Sequence, residues 1–187
     1  MKINQNKKKL SKLFFAMLNT KEVRFLLLGL LLIITFISAK KTFLYVLFTV
    51  FTGIIIYYSK LYHFPIDVSP LFFLEVVITR YYGLQWTLLF ILLGYIIPKT
   101  FAGSSMNWES YIFIGIGLVP CAISMFFKQV PLVYIGYVSS VIQYIGGVMF
   151  QATMKPIVLC LSDGIANVTN NILWFLIFSD IIVFLLG

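Results

Sequence analysis

The apolar residues of this chain come in long unbroken runs, and the short polar breaks between them hold six of its twelve lysines. A helix that crosses a bilayer needs about 20 predominantly apolar residues. Inside hydrocarbon every backbone N–H and C=O must be paired within the protein, which leaves helices or a closed barrel. The runs here are continuous and do not alternate, so they read as helices and not as barrel strands. Composition agrees: 61% of the 187 residues are apolar and 11% are charged, against about 25% charged in soluble domains. The chain reads as all-α, a polytopic integral membrane helical bundle of the cell membrane, with the lipid bilayer as its first partner.

The formal net charge of +8 fits the same picture. Seven of the fourteen basic residues lie between Lys2 and Arg24, ahead of the first run. There they satisfy the positive-inside rule and attract anionic headgroups. Residues 1–23 are therefore expected to be a basic cytoplasmic N-terminal segment, and 24–187 a single transmembrane helical domain. Lys12 to Asn19 forms either a short interfacial helix, with Leu13, Phe14 and Met17 towards lipid, or a solvated lead-in. Nucleic acid is not an expected partner, because the aromatic rings that could stack on bases lie within the spans. Ile37-Ser38-Ala39 resembles a signal-cleavage tripeptide, but the long basic region before it and the runs after it make the first run a retained anchor.

Cys121 and Cys160 stand apart in or beside apolar segments, at neither disulfide nor metal-ligand spacing. They read as small buried hydrophobes. His63, the lone histidine, lies at a membrane boundary without the partners that a nucleophilic triad or a histidine metal site requires. No metal, no cofactor and no enzyme activity is expected.

The expected spans are 24–39 and 42–58, broken at Lys40-Lys41, then 69–82, 84–98, 109–127, 131–151 and 165–186. That gives six or seven transmembrane helices, depending on whether 24–58 is a true hairpin and whether 69–98 crosses fully twice. The stretch from Phe64 to Gly103 is the most informative. It reads as two short helices joined at Tyr82-Gly83, entered through Pro65 and Pro70 with Ser69 as the cap, and left through Pro98. Glu75 and Arg80 lie in the first of them. A charge there costs about 2.5–3.5 kcal/mol on insertion scales, so it faces the bundle interior or water. Five positions at 100° per residue set the two side chains about 140° apart, too far for a self-neutralising pair. Arg80 can reach the interface. Glu75 is protonated or bonded to another helix, or it belongs to a site.

Further polar groups fall in stripes. Gly115-Ile116-Gly117 with Pro120 permits a kink and close helix packing. Gly136, Ser140, Gln143, Gly147 and Gln151 share one face of the 131–151 helix, which suits interhelical hydrogen bonds first and the lining of a cavity second. Asn167, Asn170, Asn171 and Trp174 share a face of the last helix. They suit a polar substrate slightly better than an interfacial cap.

The pattern PIDVSPLFFLEVVITRYYG followed by LLFILLGYIIPKTFAG resembles the second quarter of small prokaryotic membrane proteins related to the substrate-binding (S) components of energy-coupling factor transporters and to the cell-shape protein MreD. In those families an apolar helix ends in a Tyr-Gly type turn, and a second helix follows with spaced glycines and a Pro- or Asp-containing exit, here Gly94 and Pro98. The resemblance implies a compact six-helix bundle, a module that captures a vitamin or metal ion and docks on another membrane subunit. S components often carry an Ala-x-x-x-Ala pair on the first helix for docking. Here Gly29 is followed by Ile33 instead, a departure that favours an MreD-like scaffold or a stand-alone protein.

Two functions are therefore in competition. In the first, the chain is a substrate-binding module for membrane transport of a small molecule, with Glu75, Arg80, Gln143, Asn167, Asn170, Asn171 and Trp174 as the candidate site. In the second, it is a scaffold without a ligand, and those groups bond to one another or to a partner subunit. A pocket on the side opposite the basic N-terminus favours the first, and a packed interior of mutually satisfied amides the second.

Overall fold

The computed structural model describes residues 21–64 and 68–187, the side chains of 21–24, 26–27 and 30–38 excepted. Lys12 to Asn19, Pro65 and Asp67 lie outside the described residues. The chain divides into two compact units, Met1–Leu44 and Tyr45–Gly187.

In the first unit the described residues form the beginning of helix α1 (Lys21–Leu61). This helix runs through Lys40-Lys41 unbroken, so 24–39 and 42–58 are not two helices joined by a turn. Lysine is a good helix former, and both lysines are exposed. They interrupt the apolar pattern without interrupting the backbone hydrogen bonds.

The second unit contains the rest of α1, then α2 (Leu71–Tyr82), α3 (Leu84–Phe101), α4 (Trp108–Phe126), α5 (Leu132–Gln151) and α6 (Ile157–Leu186). No strand occurs among the described residues. Five helical stretches are long and apolar enough to cross a membrane: Ala39–Leu61 and the whole of α3, α4, α5 and α6. Their outward faces are mostly apolar, with Val138, Val141, Ile145 and Met149 exposed on α5 and Leu173, Leu176, Ile177 and Phe184 on α6, where Asp163 and Asp180 are exposed towards the two ends. Small and polar residues, such as Gly117, Ser139, Ser140 and Asn171, are buried instead. This distribution suits hydrocarbon outside the bundle.

Successive helices alternate in direction. Tyr45 donates from its hydroxyl to the Trp86 carbonyl (3.1 Å), and Gly53, two turns on, faces Pro98, so α1 and α3 run parallel. On the other diagonal, Trp174 donates to the Val68 carbonyl and Phe73 packs edge-on against Phe175, so α2 and α6 run parallel as well. α2 packs against α3, α4 and α6, α4 against α5, and α5 against α6.

α2 is the centre of this arrangement. All eight residues from Phe72 to Thr79 are buried, so protein covers every side of it. Twelve residues span about 18 Å, well short of a hydrocarbon core about 30 Å thick. The helix also begins late. Asn170 donates to the Ser69 carbonyl (3.2 Å), which sets the start of α2 about 20 Å along α6 from Ile157, at 1.5 Å per residue. Pro70, not Ser69, occupies the cap, and no side chain bonds there. At the other end Gly83 has φ 95° and ψ 166°, a region essentially restricted to glycine. It reverses the chain sharply, and the Thr79 and Thr87 hydroxyls, 2.7 Å apart, tie the two arms together.

Two helices run further than their sequence punctuation implies. α3 passes through a π-helical turn at Leu92–Ile96 and continues beyond Pro98 to Phe101. The Ile97 N–H bonds to the Leu92 carbonyl, five residues back, and the turn absorbs the donor that proline lacks. α6 starts at Ile157 and includes Asp163-Gly164. A Cβ on Gly164 would lie 2.5 Å from the Tyr144 ring, so that glycine serves a close helix approach and not a break.

Candidate functional site

Because α2 starts so deep, the space beyond its N-terminal end is not filled by helix. A cavity of about 420 Å³ occupies it, walled by the last turns of α3 and by α4, α5 and α6. Small-molecule sites usually measure about 300–1,000 Å³. Phe72, Phe113, Tyr144 and Val148 supply apolar wall, and acidic, basic and amide side chains supply the rest.

Glu75 faces this cavity from the first turns of α2 and is 4% exposed. Among the described residues none forms a hydrogen bond or ion pair with its carboxyl group. Gly117 makes room for it, since a Cβ there would lie 3.2 Å from Glu75 Oε2. Gly115, two residues earlier, meets nothing. Of the glycines around Pro120, Gly117 therefore does the close packing.

Lys99, on the last turn of α3, is the buried cation of the cavity wall, 8% exposed. Its Nζ donates to Ser110 Oγ (2.8 Å), and the serine hydroxyl donates in turn to Asn107 Oδ1 (2.6 Å). Asn107 also accepts from the Ser110 backbone N–H (3.2 Å), capping α4. The Lys99 ammonium lies 5.5 Å from the centre of the Tyr95 ring, within cation–π reach. One small network thus caps a helix and aims a cation.

The amides complete the wall. Asn171 donates to Gln143 Oε1 (2.8 Å), while Gln151 Oε1 is buried with no hydrogen-bond partner among the described residues. Of the seven residues expected from the sequence, Glu75, Gln143, Asn167, Asn170 and Asn171 line the cavity. Arg80 and Trp174 do not. The Arg80 guanidinium donates to the carbonyls of Lys128 and Val130 (2.7 Å to Val130), closing the turn between α4 and α5. Trp174 donates to the Val68 carbonyl (3.3 Å) and stacks on both Phe73 and Phe178, which also meet each other. Both hold the bundle together.

Arg80→Ala is accordingly expected to lower stability by about 1.5–3 kcal/mol, the usual worth of hydrogen bonds from a charged group. Arg80→Lys is expected to recover only part of it, because an ammonium cannot reproduce the planar fork. Unfolding midpoints in detergent check this, and small-molecule binding at the cavity should not change.

Lys99, Tyr95, Asn107 and Ser110 are the wall residues that sequence reasoning misses. Pro98 looks like the end of its helix, which strands Lys99 as an interfacial charge. The available signal is the Tyr95–Lys99 spacing of four, which puts ring and ammonium on one face if the helix continues.

No protein-family model matches the chain, and no curated protein or solved structure shows significant similarity to it.

Proposed function

We propose that the chain is a small substrate-binding membrane module of transporter type, similar in role to an S component, that takes a small molecule into the cavity beyond α2. One observation carries this reading. An acid that hydrocarbon would penalise is buried with no hydrogen-bond or ion-pair partner among the described residues, and it faces a hollow of ligand size whose wall also holds a buried lysine. Polar groups retained at membrane depth at such cost usually serve function.

The alternation of helix directions supports six crossings over residues 39–187, with α2 as a short sixth enclosed by protein. The positive-inside rule favours the cytoplasm for Lys40-Lys41, just ahead of the crossing that begins near Tyr45. On that assignment Tyr45 starts its crossing near the cytoplasmic face, together with Arg80 and Lys128. The cavity then faces the opposite side of the membrane, where a capture module would meet its ligand. The scaffold reading has internal bonds in its favour: Asn171 to Gln143, Asn170 to the Ser69 carbonyl, and Arg80 and Trp174 to backbone carbonyls. The unpartnered Glu75 and the unfilled cavity weigh against it.

The test is mass spectrometry of small molecules retained by the purified protein, with Glu75→Gln and Asn171→Ala for comparison. A compound enriched in wild type and reduced in both variants is the expected result. If wild type retains nothing above the variants, the transport reading falls.

A further inference from the structure

The binding reading says nothing of what kind of molecule is bound, but the cavity wall does. It carries an acid and a base, each more than nine-tenths buried: the Glu75 carboxyl and the Lys99 amine. The two groups do not neutralise each other. Glu75 has no ion-pair or hydrogen-bond partner among the described residues, and Lys99 is held by Ser110 and Tyr95 instead. A buried charge is stable when a group of opposite sign meets it in good geometry. Among the described residues neither group has such a partner, so a ligand that supplies both would let each hold its charge.

We propose that the cavity takes an amphoteric small molecule, one that presents a cationic nitrogen to Glu75 and an anionic group to Lys99 Nζ. This rests on the proposed binding function and deepens it. Ser110 is the positioning residue for the anionic end: its hydroxyl, bonded to Asn107 Oδ1, fixes the ammonium on the wall. The amide pair Asn171–Gln143 and the unpartnered Gln151 Oε1 are the remaining hydrogen-bonding groups for the body of the ligand. Tyr144 and Phe113 supply apolar wall for its carbon frame.

The experiment titrates the full-length protein in lipid nanodiscs with ω-amino acids of increasing chain length, from glycine to 6-aminohexanoate. Alkylamines and alkanoates of matching length are titrated beside them. Binding should peak at one chain length of the amino acid and be about tenfold or more weaker for either singly charged analogue, as expected when one partner of a buried charge pair is removed. Glu75→Gln should erase the preference for the amine-bearing ligands, and Lys99→Met the preference for the carboxylates. Ser110→Ala, which leaves both charges in place, should weaken the amino acid and the alkanoate together and spare the alkylamine. Equal binding of the amino acid and a singly charged analogue, with no change in Glu75→Gln or Lys99→Met, overturns the proposal while leaving a binding function intact. No saturable binding of any probe, together with no retained compound from the purified protein, overturns both.

Discussion

Gly136→Ala is expected to destabilise the bundle by about 3 kcal/mol, the upper part of the range for overpacked cores, and Gly136→Val to prevent assembly. A Cβ at this position would lie 2.2 Å from two atoms of the Phe175 ring. Phe175 has nowhere to go. It is 0% exposed and meets Phe72 and Phe73 edge-on, at centroid distances of 6.5 and 5.0 Å. Those two rings belong to α2, so a shift at the contact between α5 and α6 would travel directly into the helix that carries Glu75. Thermal or denaturant unfolding in detergent measures the loss. The companion variant Phe175→Leu removes the ring that causes the clash, so the pair Gly136→Ala/Phe175→Leu should be less damaged than the sum of the single changes, as coupled neighbours are. Full additivity would mean that the two residues do not oppose each other.

Glu75→Leu is expected to act in the opposite direction on stability and to be the most damaging change for binding. A buried polar group without a hydrogen-bond partner destabilises a fold by about 1–3 kcal/mol, and an apolar side chain of similar reach removes that penalty. The unfolding midpoint should therefore rise. Retention of a ligand should disappear in the same protein. Residues kept at the expense of stability are typical of functional sites. A variant that loses stability as well as binding would place Glu75 among the groups that hold α2, beside Arg80 and Trp174.

The inward direction of Glu75 and the amides is legible in the sequence, because the cost of a carboxyl or an amide in hydrocarbon is large and local. Gln143, Gly147 and Gln151 follow from helical period alone. What the sequence conceals has a physical cause in each case. Lys40-Lys41 breaks hydropathy but not helix, since lysine has high helix propensity. Pro98 ends helices in most contexts, and only the π-helical turn ahead of it lets Lys99 reach the cavity wall. Gly164 punctuates like a loop residue but is needed against Tyr144. Arg80 is charged like a site residue, yet its partners are two backbone carbonyls about fifty positions away, which no local pattern encodes. The cavity itself arises from a length mismatch. α2 is short and its neighbours are long, and that relation appears only once the helices are packed.

Ligand binding here requires a wet hollow inside an otherwise apolar bundle. Gln143 lines the cavity, and Val141, two residues away on α5, is exposed on the outer face. The two positions lie at nearly the same depth, about 3 Å apart along the helix axis, and differ in the side they face. Gln143→Cys and Val141→Cys should be compared for reaction with a charged, membrane-impermeant thiosulfonate in intact vesicles, with the buried native Cys121 and Cys160 as background. The account predicts fast modification at 143 and little at 141. Equal rates at the two positions, or no reaction at 143, would contradict it.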